Sequence, residues 1–243
     1  MWLIWIALAG HAFGQRPVKQ DFSRLNTFSG FFEYSNDSSH IILGQAMNRK
    51  IGAMGFQYQR RVVHRRPLDF YFQAEIRPAM LESDPTSTVT VMQTSPVSGI
   101  FRQDPSPTIQ CRTADYSYTS TTTGLLGPTT QSYDVAVTCG RRTVVEQGFS
   151  PGGIRINLVP HHRLQPTFSS NAGYIFSSQP VPMTGAGSFN FAFNFGGGVE
   201  FFRSQTQSIR LEYQVQHLSN KDTADLNPGI DSGFVRFTYA FGR

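Results

Sequence analysis

The chain has 243 residues, of which 39% are hydrophobic and only 15% are charged, with a formal net charge of +5. It contains 21 phenylalanines, 9 tyrosines and 22 glycines, a composition that favours β-strands over helices. No uninterrupted apolar run of about 18 residues occurs, which excludes a transmembrane helix. A membrane β-barrel remains compatible with this composition, because only every second residue of its strands must face lipid.

The N-terminus carries a short apolar segment. Residues 2–9 form a continuous apolar run, and Ala12, Phe13 and Gly14 give the small-x-small pattern of a signal-peptidase site. We therefore predict a signal peptide over residues 1–14, although no Lys or Arg precedes the apolar run. The alternative is a buried N-terminal strand.

Eight segments of the chain alternate apolar and polar residues with a period of two. In residues 189–195, four phenylalanines alternate with Asn190, Ala192 and Asn194. The alternation predicts strands at residues 26–36, 51–63, 68–76, 153–159, 167–176, 188–202, 208–218 and 230–241. An even number of antiparallel strands can close into a barrel. The predicted fold is all-β: an eight-stranded antiparallel outer-membrane β-barrel, formed as a single domain by residues 15–243.

The connections between these strands alternate in length. Short turns at residues 65–67, 160–165 and 203–207 interleave with loops at 37–50, 177–187 and 219–229 and with an insertion at 78–152. Short turns at one end and long loops at the other are typical of outer-membrane barrels. If both termini lie in the periplasm, the long loops and the insertion are extracellular.

The insertion is rich in Ser, Thr and Pro and contains both cysteines, Cys111 and Cys139. In an oxidising compartment the two cysteines can close one loop, and we favour this disulfide over two free thiols. Residues 116–123 and 134–139 can pair as an extra hairpin. A loop of this length is either functional or partly disordered, and the sequence does not separate the two.

The last two predicted strands place polar residues on an otherwise apolar face. From residue 209 to 215 every second residue is apolar, and the same parity continues to His217 and Ser219. The apolar parity of residues 235–241, extended backwards, reaches Asp231. In a small barrel the apolar row faces lipid, so these three side chains lie on the outer wall at the extracellular ends of adjoining strands. Polar groups are costly to expose to hydrocarbon, so their presence on this face indicates a functional site.

These residue types suit acyl transfer. A serine hydroxyl is a weak nucleophile until a base accepts its proton, and residues i and i+2 of a strand share a face, so His217 can serve Ser219. Asp231, across the hairpin, can orient the imidazole and stabilise its cation. Candidate donors to the developing oxyanion are Asn220, Asn227 and the backbone at Gly229. The hairpin therefore predicts a serine esterase site.

The same hairpin resembles a known family. The sequences EYQVQHLSN (residues 212–220) and NPGIDS (residues 227–232) are similar to the C-terminal hairpin of the lipid A 3-O-deacylase (PagL-type) family. That family has a His-x-Ser-Asn motif and an acidic residue fourteen positions after the histidine, commonly Glu, where this chain has Asp231. The resemblance implies an eight-stranded barrel with a Ser219, His217 and Asp231 triad on its lipid-facing wall. It also implies that Asn220 and Asn227 belong to the oxyanion site.

The resemblance further implies hydrolysis of the acyl chain at the 3-position of lipid A, without a metal or other cofactor. The substrate would be lipopolysaccharide in the outer leaflet of the bacterial outer membrane. We expect the basic residues to help hold the lipid phosphates. The clearest basic cluster, at residues 59–67, is equally consistent with a solvated strand end. Nucleic acid is not expected as a partner of an exported chain.

Two other functions remain open from the sequence. One is a non-catalytic outer-membrane barrel that anchors or adheres through the insertion. The other is an outer-membrane phospholipase, because a triad and a barrel do not specify the acyl donor. The sequence does not indicate the oligomeric state.

Overall fold

The computed structural model describes residues 21–38, 41–95 and 98–243. The predicted signal peptide, residues 1–14, lies outside the described residues. Regular secondary structure in the described part of the chain is β throughout. No helix in these ranges is long and apolar enough to cross a membrane.

Eleven strands follow one another along the described chain: β1 (Asn26–Ser35), β2 (Lys50–Arg65), β3 (Leu68–Ser95), β4 (Gly99–Arg102), β5 (Ser106–Pro107), β6 (Ala114–Gly124), β7 (Gly127–Leu158), β8 (Leu164–Ser177), β9 (Phe189–Phe202), β10 (Gln207–Ser219) and β11 (Ile230–Gly242). Eight of them, β1 to β3 and β7 to β11, pair antiparallel in a ring. The ring closes because β1 pairs with β11 and β3 pairs with β7. The predicted eight-stranded antiparallel β-barrel is confirmed.

Alternating side chains give the ring an apolar outer face and a polar inner face. In β10, Leu211 and Tyr213 are exposed, whereas Glu212 and Gln214 are buried. β9 repeats the pattern, with the phenylalanines of residues 189–195 directed outward and the asparagines between them buried. An exposed apolar band of this kind is the surface that a barrel presents to lipid.

Paired charges fill much of the interior of the ring. Arg236 lies 2.5 Å from Glu33 and 2.7 Å from Glu75, and Arg210 lies 2.8 Å from Glu212. All five side chains are buried. Each carboxylate faces a guanidinium, which offsets the cost of removing charge from water. An eight-stranded barrel is just wide enough for side chains to fill it, as these do.

The predicted insertion, residues 78–152, largely continues two strands of the barrel. β3 runs on to Ser95 and β7 begins at Gly127, and the two pair along most of this length. The predicted strand ends at residues 76 and 153 are therefore wrong. Pro78 and Gly152 fall at shifts in the pairing register, where a bulge absorbs an extra residue without ending the strand.

The extended strands carry a small sheet beyond the ring. β4 and β5 pair with β3, and β6 pairs with β7. The hairpin predicted from residues 116–123 and 134–139 forms, with Tyr116 opposite Val135. Cys111 and Cys139 form the predicted disulfide, which ties the segment before β6 to β7. The described part of the insertion is therefore largely β-structure.

The two ends of the ring carry different features. The basic cluster at residues 59–67 covers the end of β2 and the turn to β3, and Arg60 pairs with Asn26 at the start of β1. The start of β1 pairs with the end of β11, which pairs with the start of β10. Ser219 is at the other end of β10, 12 residues along and about 40 Å away. The cluster therefore lies at the opposite end of the ring from His217, Ser219 and Asp231, and its contact with lipid phosphates stays a prediction.

Candidate active site

Two adjoining strands position the three predicted catalytic residues. β10 and β11 pair so that His217 lies directly opposite Asp231, and Ser219 is the last residue of β10. All three belong to the outward parity of their strands, at the end of the ring that carries the long loops. His217 and Ser219 are partly exposed, whereas Asp231 is fully buried.

The imidazole and the carboxylate are in direct contact. Nδ1 of His217 lies 2.6 Å from Oδ1 of Asp231. A carboxylate accepts a hydrogen bond from Nδ1–H, which fixes the tautomer in which Nε2 can accept a proton. Directly opposed residues on paired strands have Cβ atoms roughly 5 Å apart, so the short side chain of Asp231 is long enough to reach the ring. This arrangement prepares His217 as a base.

The second carboxylate oxygen of Asp231 is held by the loop after β1. The backbone N–H groups of Ile42, Leu43 and Gly44 donate to Oδ2 at 2.5, 2.8 and 2.7 Å. Three donors to one carboxylate oxygen stabilise its negative charge and fix its orientation. A Cβ at Gly44 would lie 2.4 Å from the backbone nitrogen of Asp231, so the close approach of the loop requires glycine.

No sequence motif predicts this loop, because its donors are backbone groups that every residue carries. The signal that could have indicated it is Gly44, a glycine in a long loop without a turn pattern around it. The loop covers Asp231 and explains why an outward-facing carboxylate is buried.

The hydroxyl of Ser219 is held by the turn between β10 and β11. Ser219 Oγ donates to Oδ1 of Asn227 at 3.0 Å and accepts from the N–H of Lys221 at 3.1 Å. Among the described residues, no hydrogen bond joins this hydroxyl to His217. The structure thus brings His217 and Asp231 together and places Ser219 beside them with its hydroxyl turned to Asn227.

The two asparagines of the turn make different contacts. The buried amide of Asn220 donates to the carbonyls of Ala186 and Leu226, at 2.5 and 2.6 Å. An amide has two N–H groups, so both are used within the protein. Asn227 is exposed, and its amide donates one hydrogen bond, to Asp222 at 3.2 Å. Asn227 therefore has one N–H left for a ligand, whereas Asn220 joins the turn to the loop after β8.

Gly229 gives the imidazole room. Its φ of 65° lies in the left-handed region that favours glycine. A Cβ at this position would lie 3.4 Å from Cε1 of His217. Its carbonyl accepts a hydrogen bond from Ala46 at 3.3 Å, which joins the turn to the loop over Asp231.

An apolar groove on the outer wall begins at His217 and Ser219. Its volume is about 400 Å³. Cross-strand pairing extends the groove away from the two residues in parallel rows, because Phe193 pairs with His217 and Phe191 pairs with Ser219. Its other lining residues come from β7, β8 and β9: Pro151, Ala172, Gly173, Tyr174 and Ala192. A groove of this size and composition fits an alkyl chain beside the serine hydroxyl.

The groups gathered at this site are those of acid–base and nucleophilic chemistry. Among the described residues, no group of three or more His, Cys, Asp or Glu side chains is arranged to hold a metal ion.

The chain matches no curated protein sequence. Among solved structures it is similar to the outer membrane enzyme PagL, with 12% identity and a TM-score of 0.46 over 90% of this chain and 99% of that chain. It is also similar to Neisserial surface protein A, with 9% identity and a TM-score of 0.43 over 89% and 97% of the two chains. A third similar structure is LpxR from Salmonella typhimurium, with 5% identity and a TM-score of 0.27 over 89% and 100%.

A family model gives the decisive match. The model described as Lipid A 3-O-deacylase (PagL) matches residues 113–240, which is more than half of the chain. The matched segment runs from β6 into β11 and contains the hairpin with His217, Ser219 and Asp231. The chain therefore belongs to the lipid A 3-O-deacylase (PagL) family and is an outer-membrane β-barrel.

Proposed function

We propose that this protein is an outer-membrane serine esterase that removes the 3-O-linked acyl chain of lipid A. The observation that carries the proposal is the 2.6 Å contact between His217 Nδ1 and Asp231 Oδ1, on the lipid-facing wall beside Ser219 and the apolar groove. Membership of the family supports lipid A as the substrate. An oriented imidazole next to a serine supports hydrolysis of an ester.

Substrate binding follows from the position of the groove. Lipid A in the outer leaflet has its acyl chains beside the barrel wall, so one chain can enter the groove laterally from the membrane. The chain would lie over Ala172 and Phe193, with its ester at the end of the groove where Ser219 and His217 lie. Because the enzyme and substrate share one leaflet, the groove needs only to orient the ester.

The first chemical step transfers the acyl group to the enzyme. Ser219 Oγ leaves its hydrogen bond to Asn227 by rotation about Cα–Cβ and gives its proton to Nε2 of His217 as it attacks the ester carbonyl. Asp231 stabilises the imidazolium that forms. The free N–H of the Asn227 amide is a donor to the oxyanion, and we assign Asn220 to holding the turn. His217 then returns the proton to the leaving 3-hydroxyl group of the sugar.

The second step regenerates the enzyme. A water molecule attacks the acyl-serine while His217 Nε2 accepts its proton, and the serine oxygen then takes that proton back. The products are a free fatty acid and a lipid A with one hydroxyl in place of the ester. The chemistry uses side chains of this chain and water.

The test is mass spectrometry of lipid A after purified protein in detergent is incubated with lipopolysaccharide. We expect wild type to release one hydroxy-acyl chain from the 3-position and Ser219→Ala to release none. Ser188→Ala is the matched control, because the Ser188 hydroxyl makes no hydrogen bond among the described residues. Cleavage of added phospholipid with intact lipid A would instead indicate a phospholipase. Failure of folded wild type to cleave either lipid would indicate a non-catalytic barrel.

A further inference from the structure

The described segment of the loop before β2, residues 41–49, is here called the acid loop because its amides bind Asp231. One side chain, Arg49, joins this loop to the rest of the extracellular end, and it is fully buried. Its Nη1 and Nη2 donate at 2.9 to 3.2 Å to four backbone carbonyls, those of Met47, Thr108, Ile109 and Pro182. A single guanidinium thus connects the acid loop, the insertion and the loop after β8.

The remaining donor of Arg49 faces two acidic side chains of β3. Nε lies 3.2 Å from Oε1 of Glu82 and 3.0 Å from Oδ1 of Asp84, and both carboxylates are buried. A guanidinium has five N–H groups in a fixed fork; the four on Nη1 and Nη2 donate to carbonyls, and Nε lies within ion-pair distance of the two carboxylates. Lysine has only three donors and cannot reproduce this set.

The backbone of the acid loop connects Arg49 to the carboxylate. Ile109 O, which accepts from Arg49, also accepts from the N–H of Met47 at 3.0 Å. Two residues before Met47, Gln45 N donates to Pro228 O at 3.0 Å. Gly44 is next, and its N–H is one of the three that bind Oδ2 of Asp231. Arg49 is therefore five to seven positions along the chain from the three backbone amides that bind Asp231.

We propose that Arg49 is a positioning residue for the catalytic acid. By joining the acid loop to Ile109 and to β3, it keeps three amides on one oxygen of Asp231 and keeps the other oxygen against His217. The inference rests on the proposed function in taking Asp231 as the catalytic acid. It also gives the insertion a part in the activity, because Ile109 lies two residues before Cys111, which the disulfide ties to β7.

The experiment compares Arg49→Lys and Arg49→Met with Arg102→Met, a matched control at an exposed arginine on β4. One measurement is the kinetics of acyl release from lipopolysaccharide micelles. We expect kcat to fall about 10- to 100-fold in Arg49→Lys and further in Arg49→Met, with little change in KM because the groove is untouched. The control is expected to match wild type.

A second measurement reports the geometry directly. In protein with ¹⁵N-labelled histidine, the Nδ1–H of His217 hydrogen-bonded to Asp231 is expected to give a low-field proton signal that is absent in His217→Gln. We expect the signal to be lost in Arg49→Met and weakened in Arg49→Lys, in protein that circular dichroism shows to be folded. If Arg49→Met does not fold, Arg49→Lys carries the test.

The two measurements separate this inference from the proposed function. Loss of the low-field signal supports the positioning role even if wild type cleaves no lipid A, in which case only the proposed function fails. Folded Arg49 variants that keep both the wild-type signal and the wild-type kcat would overturn the inference.

Discussion

Replacing Asp231 by asparagine removes a charge while keeping the shape of the side chain. The three N–H groups of the acid loop donate to Oδ2, and only an oxygen can accept them. In Asp231→Asn the amide oxygen therefore occupies that position and the NH₂ group faces Nδ1 of His217. An NH₂ group donates, so Nδ1 must accept and the ring proton must move to Nε2. Nε2 is the atom that should take the proton of Ser219, and the imidazole is held in the wrong tautomer.

The size of the loss follows from this reversal. A carboxylate-to-amide exchange in a Ser-His-Asp triad lowers kcat by about 10⁴. At about 1.36 kcal/mol for each factor of ten, this corresponds to about 5 kcal/mol of transition-state stabilisation. Asp231→Glu keeps the charge, but its extra methylene has to fit between His217 and the acid loop. We expect a smaller loss, about 10- to 100-fold, from the displaced carboxylate.

The assay is the initial rate of acyl release from lipopolysaccharide, with wild type, Asp231→Asn and Asp231→Glu compared at equal amounts of folded protein. Asp225→Asn is the matched control, since it makes the same exchange at an exposed position of the same turn. We expect the order wild type and control, then Asp231→Glu, then Asp231→Asn. A folded Asp231→Asn protein within tenfold of the wild-type rate would refute the reasoning that Asp231 orients the base.

Three further substitutions test the surroundings of the proposed triad by the same kinetics. Gly44→Ala is expected to lower kcat about 10²-fold, because the new Cβ would lie 2.4 Å from the backbone nitrogen of Asp231, whereas Gly52→Ala, where a Cβ meets nothing within 4 Å, should be neutral. Asn227→Ala removes the acceptor of the Ser219 hydroxyl and an oxyanion donor, so kcat should fall by about 10²- to 10³-fold and KM should change little. Ala172→Phe fills the groove, so KM for lipid A should rise while a short-chain ester is still hydrolysed; an unchanged KM would place the acyl chain elsewhere.

The strands of the ring are predictable from the sequence because the outer face of each one is in contact with lipid and must be apolar. A strand with lipid outside and packed polar groups inside must alternate, and β10 lies at Gln207–Ser219 where alternation predicts 208–218. The rule fails for β3 and β7 beyond the membrane. There both faces of the sheet are rich in Ser and Thr, so the alternation of apolar and polar residues disappears although the pairing continues.

The candidate site was predictable where it depends on parity and unpredictable where it depends on loops. Parity alone places His217, Ser219 and Asp231 on the outer wall, and the pairing register sets two of them opposite each other. The amides of the acid loop and the contacts of Arg49 join segments up to 189 residues apart, which no local pattern encodes.

The inward-facing charges explain how a site on the outer wall of a barrel can hold its geometry. Arg236 of β11 pairs with Glu33 of β1 and Glu75 of β3, so the strand that carries Asp231 is tied from inside to neighbouring strands of the ring. Glu212 of β10 pairs with Arg155 of β7 in the same way. Removal of one partner from a buried pair costs about 3 to 5 kcal/mol, so these strands resist displacement. The inward-facing polar row of each strand therefore fixes the wall. The outward-facing row of the same strand can then carry the residues of the candidate site.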